Sequence, residues 1–139
     1  MILLDTSGVL AAADRGEIAH EAAAAALRQA SPPRLLSPFV LAELDYLVSR
    51  RLTPPAQHAL LADVARGTYR LEPFDGADVS EARDVMRRYE DLAISLADAS
   101  IVVLARRHGA NDVLTLDERH FRVLRGAGDR PFKLLPADV

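Results

Sequence analysis

Cysteine is absent from the 139 residues. Its absence excludes a disulfide framework, zinc ribbons and thiol catalysis, agrees with a reducing compartment, and leaves any metal to oxygen or imidazole ligands. Long apolar runs are missing too. The longest, such as Ile101 to Ala105, fall far short of the roughly 20 residues a membrane-spanning helix needs. The opening Met1-Ile2-Leu3-Leu4-Asp5 has no basic stretch and meets a carboxylate at its fifth residue. It does not read as a secretory signal, and a cytoplasmic location is expected. Nor is there an excess of positive charge. The net charge is −3, which argues against holding nucleic acid by bulk electrostatic attraction but not against an enzyme that acts on it. Lysine is nearly absent, with Lys133 its single instance. The cations are therefore arginines, whose planar fork suits phosphate, although a GC-rich genome would enrich arginine and alanine alike.

What is present suffices for one compact domain, because 50% hydrophobic content over this length fills a core without covalent or metal staples. Ile2-Leu3-Leu4, running into Asp5-Thr6-Ser7-Gly8, has the pattern of a buried parallel strand that stops in a polar turn, with a helix near Val9 to Ala13. Helical spacing from Glu17 to Ala30 ends at Ser31-Pro32-Pro33. Arg34-Leu35-Leu36 reads as a strand. Ser37-Pro38 supplies an N-cap and a first-turn proline for a helix to about Arg50, and Thr53-Pro54-Pro55 repeats that signal for a helix from about Pro55 to Arg66. Tyr69 to Leu71 reads as strand, Asp75 to Tyr89 as helix, Ile94 to His108 as helix closed by Gly109, Asp112 to Thr115 as strand and Phe132 to Leu135 as the final strand. Alternating strands and helices imply an α/β fold of three layers, a mostly parallel sheet of about five strands under helices on both faces.

Four carboxylates sit where solvation alone does not explain them. Glu43 lies among Val40, Leu44, Leu47 and Val48, inside a core-facing stripe, and Asp98 is flanked at helical spacing by Ile94, Ile101, Val102 and Ala105. A carboxylate so placed needs an arginine, a set of donors or a metal ion. Asp5 ends the first strand and Asp117 follows the fourth. Each also has a simpler reading: Asp5 and Asp117 as helix N-caps, and Asp98 as the partner of Ser95 in a capping box. Separate caps, however, would not require the four to share a location. In a parallel α/β sheet, strand C-termini and the first turns of the following helices gather on one edge, so all four are expected to form one cluster. Four close carboxylates repel one another unless a hard cation neutralises them, and oxygen-only donors suit Mg²⁺ or Mn²⁺. A carboxylate-held metal activates water and stabilises charge on a phosphate, which is the chemistry of phosphodiester hydrolysis. Thr6, Ser7 and Thr115 stand beside these acids, either orienting them or serving ordinary turn chemistry.

Leu4-Asp5-Thr6-Ser7 after an opening strand, Glu43-Leu44 in a helix, Ser95-Leu96-Ala97-Asp98-Ala99 opening another, and Leu114-Thr115-Leu116-Asp117 followed by Phe121 together resemble the PIN-domain family, most closely its VapC toxins. The likeness spans essentially the whole chain, with separations of 38, 55 and 19 residues between the acids. The resemblance implies a metal-dependent endoribonuclease in which Asp5, Glu43 and Asp98 are the acidic metal-site residues and Asp117 the more variable fourth. It also implies a small VapB-like antitoxin partner and a homodimer. A housekeeping RNA-processing nuclease and a non-catalytic interaction domain are the alternatives on the same fold. A phosphatase using Asp5 as nucleophile is disfavoured, because position 7 is Ser7 where that chemistry wants a second aspartate. Asp45 points off the Glu43 face, and Asp91 reads as cap or loop. His20, His58, His108 and His120 are scattered without ligand spacing and are expected to be exposed or structural. Arg106, Arg107, Arg119, Arg122 and Arg125 are either contacts for phosphates or ordinary partners of helix C-termini.

Overall fold

A computed structural model describes residues 1–139. Its elements run β1 (Ile2–Leu4), α1 (Thr6–Ala13), α2 (His20–Gln29), β2 (Arg34–Leu36), α3 (Pro38–Arg51), α4 (Pro54–Ala65), β3 (Arg70–Leu71), α5 (Gly76–Arg88), α6 (Leu96–His108), β4 (Asp112–Leu114), α7 (Glu118–Phe121) and β5 (Lys133–Leu135). All five strands pair in parallel, in the order β3-β2-β1-β4-β5. Consecutive residues of the central strands, Leu3 and Leu4, Leu35 and Leu36, Val113 and Leu114, are all buried. Since neighbouring strand residues point to opposite faces, both faces of the sheet are covered, which is the three-layer α/β/α arrangement. No helix is long and apolar enough to cross a membrane.

Helix starts follow the capping chemistry. The Ser37 hydroxyl accepts from the Phe39 amide at 3.1 Å and the Thr53 hydroxyl from the Ala56 amide at 3.3 Å, each with proline in the first turn. Two helices begin elsewhere than the spacing predicts. α1 starts at Thr6, not near Val9, because the chain leaves β1 at an extended Asp5 and turns helical at once. That tight exit depends on Gly8: a Cβ there would lie 2.4 Å from the backbone oxygen of Leu114. Conversely, α2 starts at His20, not Glu17. The Asp14 carboxylate takes the Gly16 amide at 2.9 Å, and the resulting turn carries the chain past a fully exposed Ile18. Of the five alanines of α2, Ala23 and Ala26 are buried within the chain and Ala22 is exposed.

Strand order fixes where the acids meet. From β1 the sheet grows through β2 to β3 on one side and through β4 to β5 on the other, so it switches direction between β1 and β4. Leu4 pairs with Leu114 there. The next residues along each strand, Asp5 and Thr115, therefore emerge side by side at the carboxyl edge.

Candidate active site

Asp5, Glu43, Asp98 and Asp117 line one open cleft of about 480 Å³ at that edge, together with Thr6, Ser7, Ser95 and His120. Asp5 is the most enclosed, at 5% exposure. Its Oδ2 accepts hydrogen bonds from Thr115 Oγ1 at 2.6 Å and Ser7 Oγ at 2.8 Å. The two hydroxyls also fasten the following loop, since the Asp117 amide donates to Thr115 Oγ1 and the Leu116 amide to Ser7 Oγ, both at 2.9 Å. Asp5 makes no side-chain cap to α1. The simple cap reading therefore fails for this residue, whose carboxylate is turned to the switch point. Burial pushes the Asp5 carboxyl up to about 6, against the pull of the Thr115 and Ser7 hydroxyls and with a smaller push from the negative charge of Asp98.

Asp98 and Asp117 serve as caps and as cleft residues together. Asp98 closes a reciprocal capping box on α6, its amide donating to Ser95 Oγ at 3.1 Å and its Oδ2 accepting from the Ser95 amide at 3.2 Å. Asp117 Oδ1 accepts from the His120 amide at 3.0 Å at the start of α7. Burial raises the Asp98 carboxyl above its ordinary range; the Ser95 amide and the nearby His120 ring oppose this, and Asp117 reinforces it. A buried hydroxyl contact holds the frame, with Ser37 at the start of α3 and Ser100 in α6 2.6 Å apart.

Glu43 corrects one expectation. The buried line of α3 is Val40, Leu44 and Val48, and Glu43 is exposed on its flank, facing the open cleft and not the core. A position one residue off the i, i+4, i+8 line turns about 100° around the helix, which accounts for the difference. Its partner is Thr6, whose hydroxyl donates to Oε1 at 2.7 Å.

His120, expected to be exposed or structural, also lines the cleft. Its Nδ1 lies 2.8 Å from Asp117 Oδ2 and 3.5 Å from Asp98 Oδ2. That nitrogen is buried, and its approach to Asp117 is too poorly aligned to be a hydrogen bond. Ligand atoms of Asp98, Asp117 and His120 lie within 4.8 Å of one another. Hard carboxylate oxygens beside an orphaned imidazole nitrogen, with no thiolate in the chain, form a donor set that fits a divalent cation, the oxygens suiting Mg²⁺ or Mn²⁺ and the imidazole a transition metal. The sequence signal for His120 was only its place three residues after Asp117.

Some of the remaining charges are engaged within the fold, although Arg119 and Arg125 form no ion pair. Arg107 pairs with Asp78 at 2.9 Å, Arg106 with Glu81 at 3.6 Å, and Arg122 with Glu118 and Asp138 at 2.7 and 2.8 Å. His108 and Arg70 both meet the buried Glu72. Asp45 accepts from Gln57 at 2.7 Å and does not line the cleft, as its helix face predicts.

A parallel α/β/α sheet with acids gathered at its switch point defines a class of carboxylate-centred α/β proteins. The chain belongs to one family within it: the PIN domain pattern matches residues 2–126, so this is a PIN-domain protein. It is 38% identical over 135 residues to Ribonuclease VapC26 of Mycobacterium tuberculosis, covering 97% of this chain and all of the relative. Among solved structures it is similar to M. tuberculosis VapC20, described as a sarcin-ricin loop cleaving toxin, at 25% identity and TM-score 0.78 over 84% of this chain and 90% of that one. FitAcB of Neisseria gonorrhoeae matches at 25% identity and TM-score 0.60 over 85% and 88% of the two chains. VapBC2 of Rickettsia felis, solved on a promoter DNA fragment, shares the fold at 17% identity and TM-score 0.65, with 96% and 98% covered. The resemblance to VapC toxins thus holds along nearly the entire chain.

Proposed function

We propose that this protein is a divalent-metal-dependent endoribonuclease, the toxin of a toxin–antitoxin pair, with Asp5, Glu43, Asp98 and Asp117 as its metal-site and catalytic acids. The observation that carries the reading is the convergence of these four carboxylates on one cleft. No positive side chain pairs with Asp5 or Glu43, so their charge is left for a cation. Mg²⁺ or Mn²⁺ held there would supply a Lewis acid for the scissile phosphate and lower the pKa of bound water. The chain's own groups prepare that site. Thr115 and Ser7 fix the Asp5 carboxylate, Thr6 fixes Glu43, and the capping box holds Asp98 at the first turn of α6. His120, beside Asp117 and Asp98, is placed to balance charge or move a proton at the cleft wall.

The kinship with a ribonuclease VapC relative supports RNA as substrate, and the VapBC and FitAB neighbours support a small VapB-like antitoxin as partner. A homodimer and a cytoplasmic location complete the reading. The test is cleavage of RNA by purified protein in Mg²⁺ or Mn²⁺. EDTA is expected to abolish it, and so is Asp98→Ala, with circular dichroism unchanged. Activity that survives both would refute the assignment.

A further inference from the structure

The cleft has a second wall that the acids do not use. On α3, Tyr46, Leu47 and Arg51 continue the face that begins at Glu43, at spacings of three, four and eight residues, and all three line the cleft. Arg51 is the one arginine among the lining residues. It has no carboxylate within ion-pairing distance, although four carboxylates share the cleft. Roughly 12 Å of helix axis separates Arg51 from Glu43, and helical side chains lean toward the N-terminus, so its guanidinium is carried back along the cleft toward the acids. Tyr46 is 57% exposed. One face of its ring is covered by the Arg50 guanidinium, 5.1 Å from the ring centroid, which steadies the ring where it lines the cleft.

A chain of net charge −3 cannot draw a polyanion by bulk attraction, and a carboxylate cluster repels every phosphate except one bridged by metal. A strand lying across the cleft therefore needs a local cation and a surface for its bases. We propose that Tyr46 and Arg51 form a nucleotide subsite beside the acids, with Arg51 holding a phosphate next to the scissile one and Tyr46 stacking an unpaired base. The substrate presented to the cleft is then a single-stranded RNA segment, since a base within a duplex has no free face to offer. The subsite rests on the nuclease reading above and adds to it the two residues that seat the strand.

Steady-state cleavage of a single-stranded oligoribonucleotide in Mn²⁺ tests it, with Mn²⁺-induced thermal stabilisation as a separate readout. Arg51→Ala is expected to raise KM roughly tenfold with kcat nearly unchanged, and to flatten the dependence of log KM on log salt by about 0.7. Tyr46→Ala is expected to raise KM by a similar factor and Tyr46→Phe to restore it, because stacking needs the ring and not the hydroxyl. The same sequence in a duplex should be cut poorly. Both variants should keep the wild-type Mn²⁺ stabilisation. Unchanged KM and salt slope in Arg51→Ala would reduce that arginine to a partner of the α3 C-terminus and overturn the subsite while leaving the nuclease intact. Equal cleavage of the duplex would overturn the single-strand assignment. A wild-type protein that cuts no RNA in Mn²⁺ would instead fell the nuclease reading, and the subsite with it.

Discussion

Replacing Asp5 by asparagine should stabilise the metal-free protein while destroying the metal site. In the fold the Asp5 carboxyl titrates at about 6, against 3.8 for an ordinary aspartate, and burial is the largest cause. A raised acid binds its proton more tightly folded than unfolded. Between pH 4 and 6 the native state thus holds protons the unfolded chain has released, and stability from this group falls as pH rises through that window. Above pH 6 the loss is complete, and at about 1.4 kcal/mol per pH unit it amounts to about 3 kcal/mol. Relaxation of the cleft lowers this, so about 1–3 kcal/mol is the working range. Asparagine avoids the cost. Its carbonyl can occupy the Oδ2 position and still accept from Thr115 and Ser7, while its amide faces the cleft without adding charge near Asp98. With an unfolding entropy of about 0.3 kcal/mol/K for a chain of this length, Tm should rise by roughly 3–10 °C. Thermal unfolding in EDTA at pH 8 and at pH 4 measures this, with the advantage of the variant disappearing at the lower pH. In saturating Mn²⁺ the order should reverse, because only the wild type gains the roughly 4.1 kcal/mol that a ligand at about 1,000 times its Kd confers. A variant less stable than wild type in EDTA at pH 8, or a gap that persists at pH 4, would refute the argument.

Two further substitutions probe how the acids are held. Gly8→Ala places a methyl group against the Leu114 backbone, where neither α1 nor β4 can yield cheaply. It should cost about 1–3 kcal/mol in denaturant unfolding and reduce RNA cleavage by separating Ser7 from Thr115. Thr6→Val removes the hydroxyl that donates to Glu43 without changing the shape of the side chain. Mn²⁺ affinity, followed by calorimetry, should fall roughly tenfold with Tm in EDTA nearly unchanged.

The elements that were legible in the sequence are those whose signals are local. Ile2–Leu4 and Arg34–Leu36 announce themselves as apolar runs, and Ser37-Pro38 and Thr53-Pro54 mark helix starts through hydrogen bonds made within three residues. Two helix starts depart from the spacing because their causes are not local in this sense. The early start of α1 depends on a contact between Gly8 and Leu114, more than a hundred residues apart, which no periodicity encodes. The late start of α2 follows a turn just ahead of the alanine-rich stretch, where Asp14 takes the Gly16 backbone amide. The partners of Glu72 were invisible for the same reason, since His108 lies 36 residues away on another element.

At the site the difficulty was different. Read singly, Asp98 and Asp117 fit either caps or ligands, and the sequence offers the two readings as alternatives. The structure makes them complementary. An aspartate at the start of a helix receives amide hydrogen bonds that hold its carboxylate in place; Asp98 accepts from Ser95 and Asp117 from His120. The parallel sheet, meanwhile, delivers those helix starts to the same edge as Asp5. Capping thus fixes the side chains at low entropic cost and partly offsets the upward push that burial gives the Asp98 carboxyl. Glu43 has no such cap, being six residues beyond Ser37, and is the acid held by a neighbouring helix through Thr6. Fixing by a cap is written in consecutive residues; fixing by Thr6 requires the fold, which is why helical spacing alone assigns Glu43 to the core stripe when it belongs to the cleft wall.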